Sequence, residues 1–171
     1  MKSNIYIIAV LLLLLFSNCN KPKVAFNFDR VEHYSLPEND SLYETIYQKR
    51  FENLTALENE YMEMRNNENP SKINDTIIVS HLEKINFKKT IISPKKYEDL
   101  SEIFNPSPCT PFANNACAPI FRDIYIFKNH SKIVGIAKVC FECEILYFVD
   151  SKSNWEKFGD CVDFDDLKSI K

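Results

Sequence analysis

Residues 139–143 read VCFEC, placing Cys140 and Cys143 two residues apart. A CxxC pair can clip a metal, run thiol–disulfide exchange or belong to a disulfide framework. Exchange needs a stabilised thiolate, usually at a helix N-terminus or beside cations. Here the flanking residues are β-formers, and Glu142 and Glu144 are adjacent, a setting that disfavours a thiolate. A zinc site drawn from Cys117, Cys140, Cys143 and Cys161 has the ligand count of a tetrahedral centre, but the chain offers no second CxxC pair and no glycine knuckle. Structural disulfides are the third option. Cys109, Cys117, Cys140, Cys143 and Cys161 make five cysteines besides Cys19, so at least one thiol is free, metal-bound or paired outside the chain.

Geometry restricts the pairing. Three steps along a regular strand separate two Cα atoms by about 10 Å, beyond the roughly 7 Å that a disulfide spans. Cys140 and Cys143 are therefore expected to have different partners, or one of them to stay reduced. Cys109 and Cys117 bracket CTPFANNAC, whose prolines and asparagines can turn the chain back and allow a local bond. Cys161 can meet Cys140 or Cys143, and the connectivity stays open.

The compartment decides which chemistry is available. Ile5 to Phe16 is an uncharged run of twelve apolar residues behind Lys2, too short for the roughly 20 residues of a spanning helix and suited to an export signal over residues 1–18. Leu15, Phe16, Ser17 and Asn18 before Cys19 resemble the lipobox of bacterial lipoproteins. The resemblance implies that Cys19 is acylated by diacylglycerol, carries a further acyl chain such as palmitate, and becomes the new amino terminus. Asn18 replaces the usual small residue, which leaves an ordinary secretory signal with a free Cys19 as the alternative. Several acyl chains at about 0.8 kcal/mol per buried methylene anchor a protein permanently. Residues 19–23 are then a short polar tether. In a eukaryotic secreted protein the Asn-x-Ser/Thr triplets at Asn39, Asn53, Asn74 and Asn129 would be glycosylation sites. Export would also place the cysteines where disulfides persist.

Without residues 1–18 the chain has 153 residues, with 20 basic against 24 acidic side chains. That length suits one domain, expected over residues 24–171. The mild, interspersed acidity gives no footprint for nucleic acid. With Gly135 and Gly159 the only glycines, phosphate loops of the GxGxxG or GxxxxGK type are excluded.

Val24, Phe26 and Phe28 alternate as a strand that can continue through Val31. From an N-cap at Asp40 or Ser41, apolar residues at Tyr43, Tyr47, Phe51, Leu54, Leu57 and Tyr61 predict one amphipathic helix of about six turns, stopped by Asn66, Asn67 and Pro70. Residues 75–85 fit a helix or a strand, with helix preferred. Ser93-Pro94 starts a short helix through Tyr97, Leu100, Ile103 and Phe104. After a proline-rich loop, FRDIYIFKN and KIVGIAKVC form a predicted hairpin about Asn129-His130-Ser131, EILYFVD follows, and a bend near CFEC is expected. Asp163 caps a terminal helix through Phe164, Leu167 and Ile170. Helices followed by an antiparallel sheet give an α+β fold.

CAPIFRD followed by KIVGIAKVCFEC, over Cys117 to Cys143, resembles a pattern in small exported bacterial proteins and lipoproteins, where a Cys-Pro segment precedes a β-hairpin ending in Cys-Phe-Glu-Cys. It implies a shared structural element and carries no activity. His33, His81 and His130 fall in different elements, and neither HExxH nor GxSxG occurs. Asp160, Asp163, Asp165 and Asp166 lack the Gly of a calcium loop, so helix-dipole stabilisation accounts for them. Arg122 and Asp123 should point to opposite faces of a strand as polar anchors, with surface ion pairs expected. An exposed Tyr/Phe patch would mark a binding surface.

The sequence therefore predicts a lipid-anchored envelope protein, periplasmic or surface-facing, acting as a non-catalytic binding or structural module. No catalytic residue and no cofactor is assigned. Its partners would be membrane lipid and an envelope protein or small ligand. The rival is a thiol oxidoreductase or zinc-binding protein using Cys140 and Cys143.

Overall fold

The computed structural model describes residues 27–74, 78–105, 117–152 and 154–171. The expected signal, Cys19, the tether, the strand start at Val24 and Cys109 lie outside them. Six strands form one antiparallel sheet in the order β2-β1-β3-β4-β5-β6. They are β1 Arg30–Ser35, β2 Lys88–Ile91, β3 Asp123–Asn129, β4 Lys132–Cys140, β5 Ile145–Asp150 and β6 Asn154–Phe158. Four α-helices accompany them among the described residues: α1 Ser41–Gln48, α2 Ala56–Asn66, α3 Tyr97–Ile103 and α4 Phe164–Ile170. The fold is α+β, as composition and patterning imply. No described helix is long and apolar enough to cross a membrane.

Period-two alternation sends the strand side chains to two covered faces. Val31, Tyr125, Phe127, Ala137, Val139, Leu146 and Phe148 meet α3 and α4 through Leu100, Phe104, Phe164 and Leu167. Tyr34, Ile124, Ile126 and Ile136 on the other face meet α1, α2 and the 3-10 helix Ile78–Ile85 through Ile46, Tyr61, Met64 and Leu82. A third cluster of Phe121, Cys140, Cys143, Ile145, Tyr147 and Val149 continues that second face.

The single long helix expected from Asp40 is two helices. Arg50, Phe51 and Asn53 have positive φ and break it. Thr55 then starts α2 with a capping box: its hydroxyl accepts from Glu58 N–H, and the Glu58 carboxylate accepts from Thr55 N–H. Asp40 caps α1, accepting from Tyr43 N–H at 3.4 Å, and also receives the Tyr61 hydroxyl and the Asn86 amide. Satisfying both helix starts outweighs the apolar spacing that runs through residues 49–55. The region 78–85 is helical, but as a 3-10 helix. Strands β2 and β6 had no clear pattern because they are short, and β2 is exposed along its length.

The hairpin of β3 and β4 turns at His130 and Ser131, both of positive φ, and the Asp163 carboxylate caps α4 by accepting from Asp166 N–H at 2.9 Å. Residues 141–144 form the turn between β4 and β5, with Glu144 at φ 52°. The expected bend near CFEC is therefore a hairpin turn, which accommodates Phe141 and Glu142 by placing the left-handed residue at Glu144.

Candidate functional site

The turn between β4 and β5 decides the chemistry of the cysteines. It brings Cys143 to Cys117, with Cα atoms 5.9 Å apart in a disulfide that ties the segment before β3 to the β4–β5 turn. The local Cys109–Cys117 bond is thus corrected: Cys117 is bonded across 26 residues of sequence instead. Cys140 is a free thiol, buried, accepting from Ile120 N–H at 3.4 Å and lying 3.7 Å from a Glu142 carboxylate oxygen. Cys161 is disulfide-bonded, but not to Cys143, which is joined to Cys117, nor to Cys140, which is free, so its expected bond to either is not made. These bonds also remove the four-thiolate zinc set, since three of its four sulfurs are already in disulfides. No group of three or more potential metal ligands occurs among the described residues.

The other convergence of polar groups lies at the end of the sheet, where β1 leaves, β3 enters and α4 terminates. Alternation puts His33 and Asp123 on the same sheet face. The His33 Nε2 meets Asp123 Oδ1 at 2.7 Å, and Lys171 Nζ approaches the same oxygen at 3.1 Å. The His33 ring stacks on Tyr125 with centroids 4.6 Å apart. Both members of the His33–Asp123 pair are buried, which corrects the expectation of a surface ion pair at Asp123. Burial and the Asp123 charge beside it push the Tyr125 hydroxyl well above its ordinary range, and that hydroxyl has no hydrogen-bond partner among the described residues.

A cleft of about 430 Å³ opens over this pair. Buried His33 and Asp123 with half-buried Ser35 form its floor, and Thr90, Arg122, Phe141, Glu142, Glu38, Lys168 and Lys171 its rim. Lys171 sits 4.0 Å from the Phe141 ring centroid, and Phe141 packs edge-on against Phe164 of α4. The CFEC turn thus contributes Phe141 and Glu142 to the cleft, while its cysteines face the opposite sheet face. Sequence reasoning singled out Arg122 and Asp123 but not His33 as their neighbour. The 90-residue separation of His33 and Asp123 closes only when β1 pairs with β3. His81 bonds Glu60 and His130 is exposed, both away from this site.

The arrangement supplies several hydrogen-bond donors and acceptors around an aromatic wall, with a buried acid already balanced by His33 and Lys171. It suits recognition of a small polar ligand. Among the described residues no hydroxyl or thiol is hydrogen-bonded to the His33 ring as a nucleophile would be. Compared with family models, with curated proteins and with solved structures, the chain matches none.

Proposed function

We propose that the chain is a lipid-anchored protein of a bacterial cell envelope, whose α+β domain is a non-catalytic binding module using the cleft over His33 and Asp123. The disulfide between Cys117 and Cys143 carries this reading: it suits an oxidising compartment, to which the run Ile5–Phe16 would direct the chain. The lipobox-like stretch before Cys19 supports the anchor. In this reading the disulfide fixes the β4–β5 turn, and hence Phe141 and Glu142 at the cleft rim.

A second reading is thiol exchange, favoured by one observation. The free Cys140 and the bonded Cys143 belong to one buried cluster, so an exchange partner is close to a disulfide. Peptide mass spectrometry of protein purified from its own envelope, with thiols alkylated before reduction, tests both. Acylated Cys19 with linked Cys117–Cys143 peptides is expected. An unmodified Cys19 would remove the anchor, and a rapidly alkylated Cys140 in folded protein would turn the reading towards exchange.

A further inference from the structure

The charges around the cleft are unequally engaged. Asp123 is held by His33 and Lys171, and Lys168 lies 3.4 Å from Asp165. Arg122, half-buried at the rim, has no ion pair or side-chain hydrogen bond among the described residues, and its charge acts on the Tyr61 hydroxyl only through space. Glu38 likewise has none, and Glu142 has only the weak contact with the Cys140 thiol. The unspent groups are thus one guanidinium and two carboxylates, beside the Phe141 ring. A purely anionic ligand would meet Glu38 and Glu142, and a purely cationic one would meet Arg122. A molecule carrying both charges can use all three.

We propose that this cleft binds a small zwitterion of the amino-acid or short-peptide class, with its carboxylate on Arg122 and its ammonium on Glu38 and Glu142. A guanidinium presents paired N–H donors that match a carboxylate in two parallel hydrogen bonds. An ammonium has three donors, which carboxylate oxygens accept. The ligand's apolar part lies against Phe141, and the hydroxyls of Ser35 and Thr90 are available to its amide groups. The volume of about 430 Å³ falls within the range of small-molecule sites and leaves room for a dipeptide. The proposal rests on the domain being a binding module, and it is independent of the lipid anchor.

The test is calorimetric titration of the full chain in detergent with alanyl-alanine, with its N-acetylated form, with its C-amidated form and with the doubly capped form. Binding of alanyl-alanine is expected, weakened at least about tenfold by removing either charge, since one charge-assisted hydrogen bond contributes about 1.5–3 kcal/mol. Arg122→Gln should abolish the preference for a free carboxylate while retaining the preference for a free ammonium, and Glu142→Gln together with Glu38→Gln should do the reverse. Wild-type unfolding midpoints in these variants establish that the fold is intact. Equal binding of the doubly capped peptide, or no binding of alanyl-alanine, would overturn the proposal. Binding by a chain whose Cys19 carries no lipid would leave it standing while removing the anchor.

Discussion

The two faces of the sheet solve the same problem with different severity. On each, one strand lysine reaches across to the carbonyls where a helix ends, groups that have no partner within the helix. Lys138 of β4 donates to Asn67 O and, at 2.9 Å, to Asn69 O beyond α2. Lys157 of β6 donates to Asn105 O and, at 3.5 Å, to Ile103 O at the end of α3. Lys138 is completely buried, with Phe121 4.6 Å from its ammonium, and burial pushes its pKa down to about 7 against the opposing charges of Glu63 and Glu68. Burial also lowers Lys157, which keeps slight exposure and lies over Trp155. A cation can close a helix end at either depth, but at the deeper site its charge becomes conditional on pH. The face of Lys138 also carries the Cys117–Cys143 bond.

That difference predicts a graded set of effects. Cys143→Ala should cost most, about 3–4 kcal/mol by the loop-entropy argument, read as a lower urea midpoint that reductant shifts less than it shifts the wild type, since only the Cys161 bond is left to reduce. If reductant leaves the wild-type midpoint where it was, the bond contributes nothing. Next, Lys138→Ala should destabilise by about 2–4 kcal/mol, through a cavity and two carbonyls without donors, and Lys157→Ala by about 1–2 kcal/mol. Equal losses would erase the distinction between the faces.

The pH dependence sharpens it. Between pH 7 and 10.5 the unfolded chain holds a proton on Lys138 that the folded chain has released, so folded stability should rise with pH over that window. Lys138→Met should flatten the rise, as followed by urea unfolding at several pH values, whereas Lys157→Met should alter it less. On the Lys138 face, burial and then the neighbouring Glu68 raise Glu156 to about 7, so its contribution runs oppositely, falling as pH rises from 4.5 towards 7. A stability curve with a minimum near neutrality is the expected signature. The smallest effect should come from Thr55→Ala, which removes one half of the α2 capping box at about 1 kcal/mol and should leave the pH profile unchanged.

Alternation and turn chemistry made much of the sheet legible. β3, β4 and β5 follow their apolar runs, and Asp163 caps α4 where an aspartate before an apolar stripe should. The break between α1 and α2 had a local signal too, Thr55 followed three residues later by Glu58, overshadowed by an apolar spacing that ran on through Leu57 and Tyr61. Strands β2 and β6 are short and owe their existence to neighbours that supply ladder hydrogen bonds. The cleft was legible only as Arg122 and Asp123. Nothing local to His33, Lys171 or Phe141 distinguishes them from ordinary residues of a strand, a helix end and a turn.

With Cys19 set aside, the cysteine count left one thiol without a partner in the chain, and the expectation that Cys140 and Cys143 part company holds, although residues 141–144 form a turn and not the regular strand from which it was argued. Residue type and count set those options by themselves, because a disulfide needs two thiols in any fold. Which cysteine joins Cys117, and which groups surround Asp123, was decided by the pairing of β1 with β3 and the turn after β4. Those contacts span tens of residues, and they form only when burying both sheet faces fixes one register for every strand.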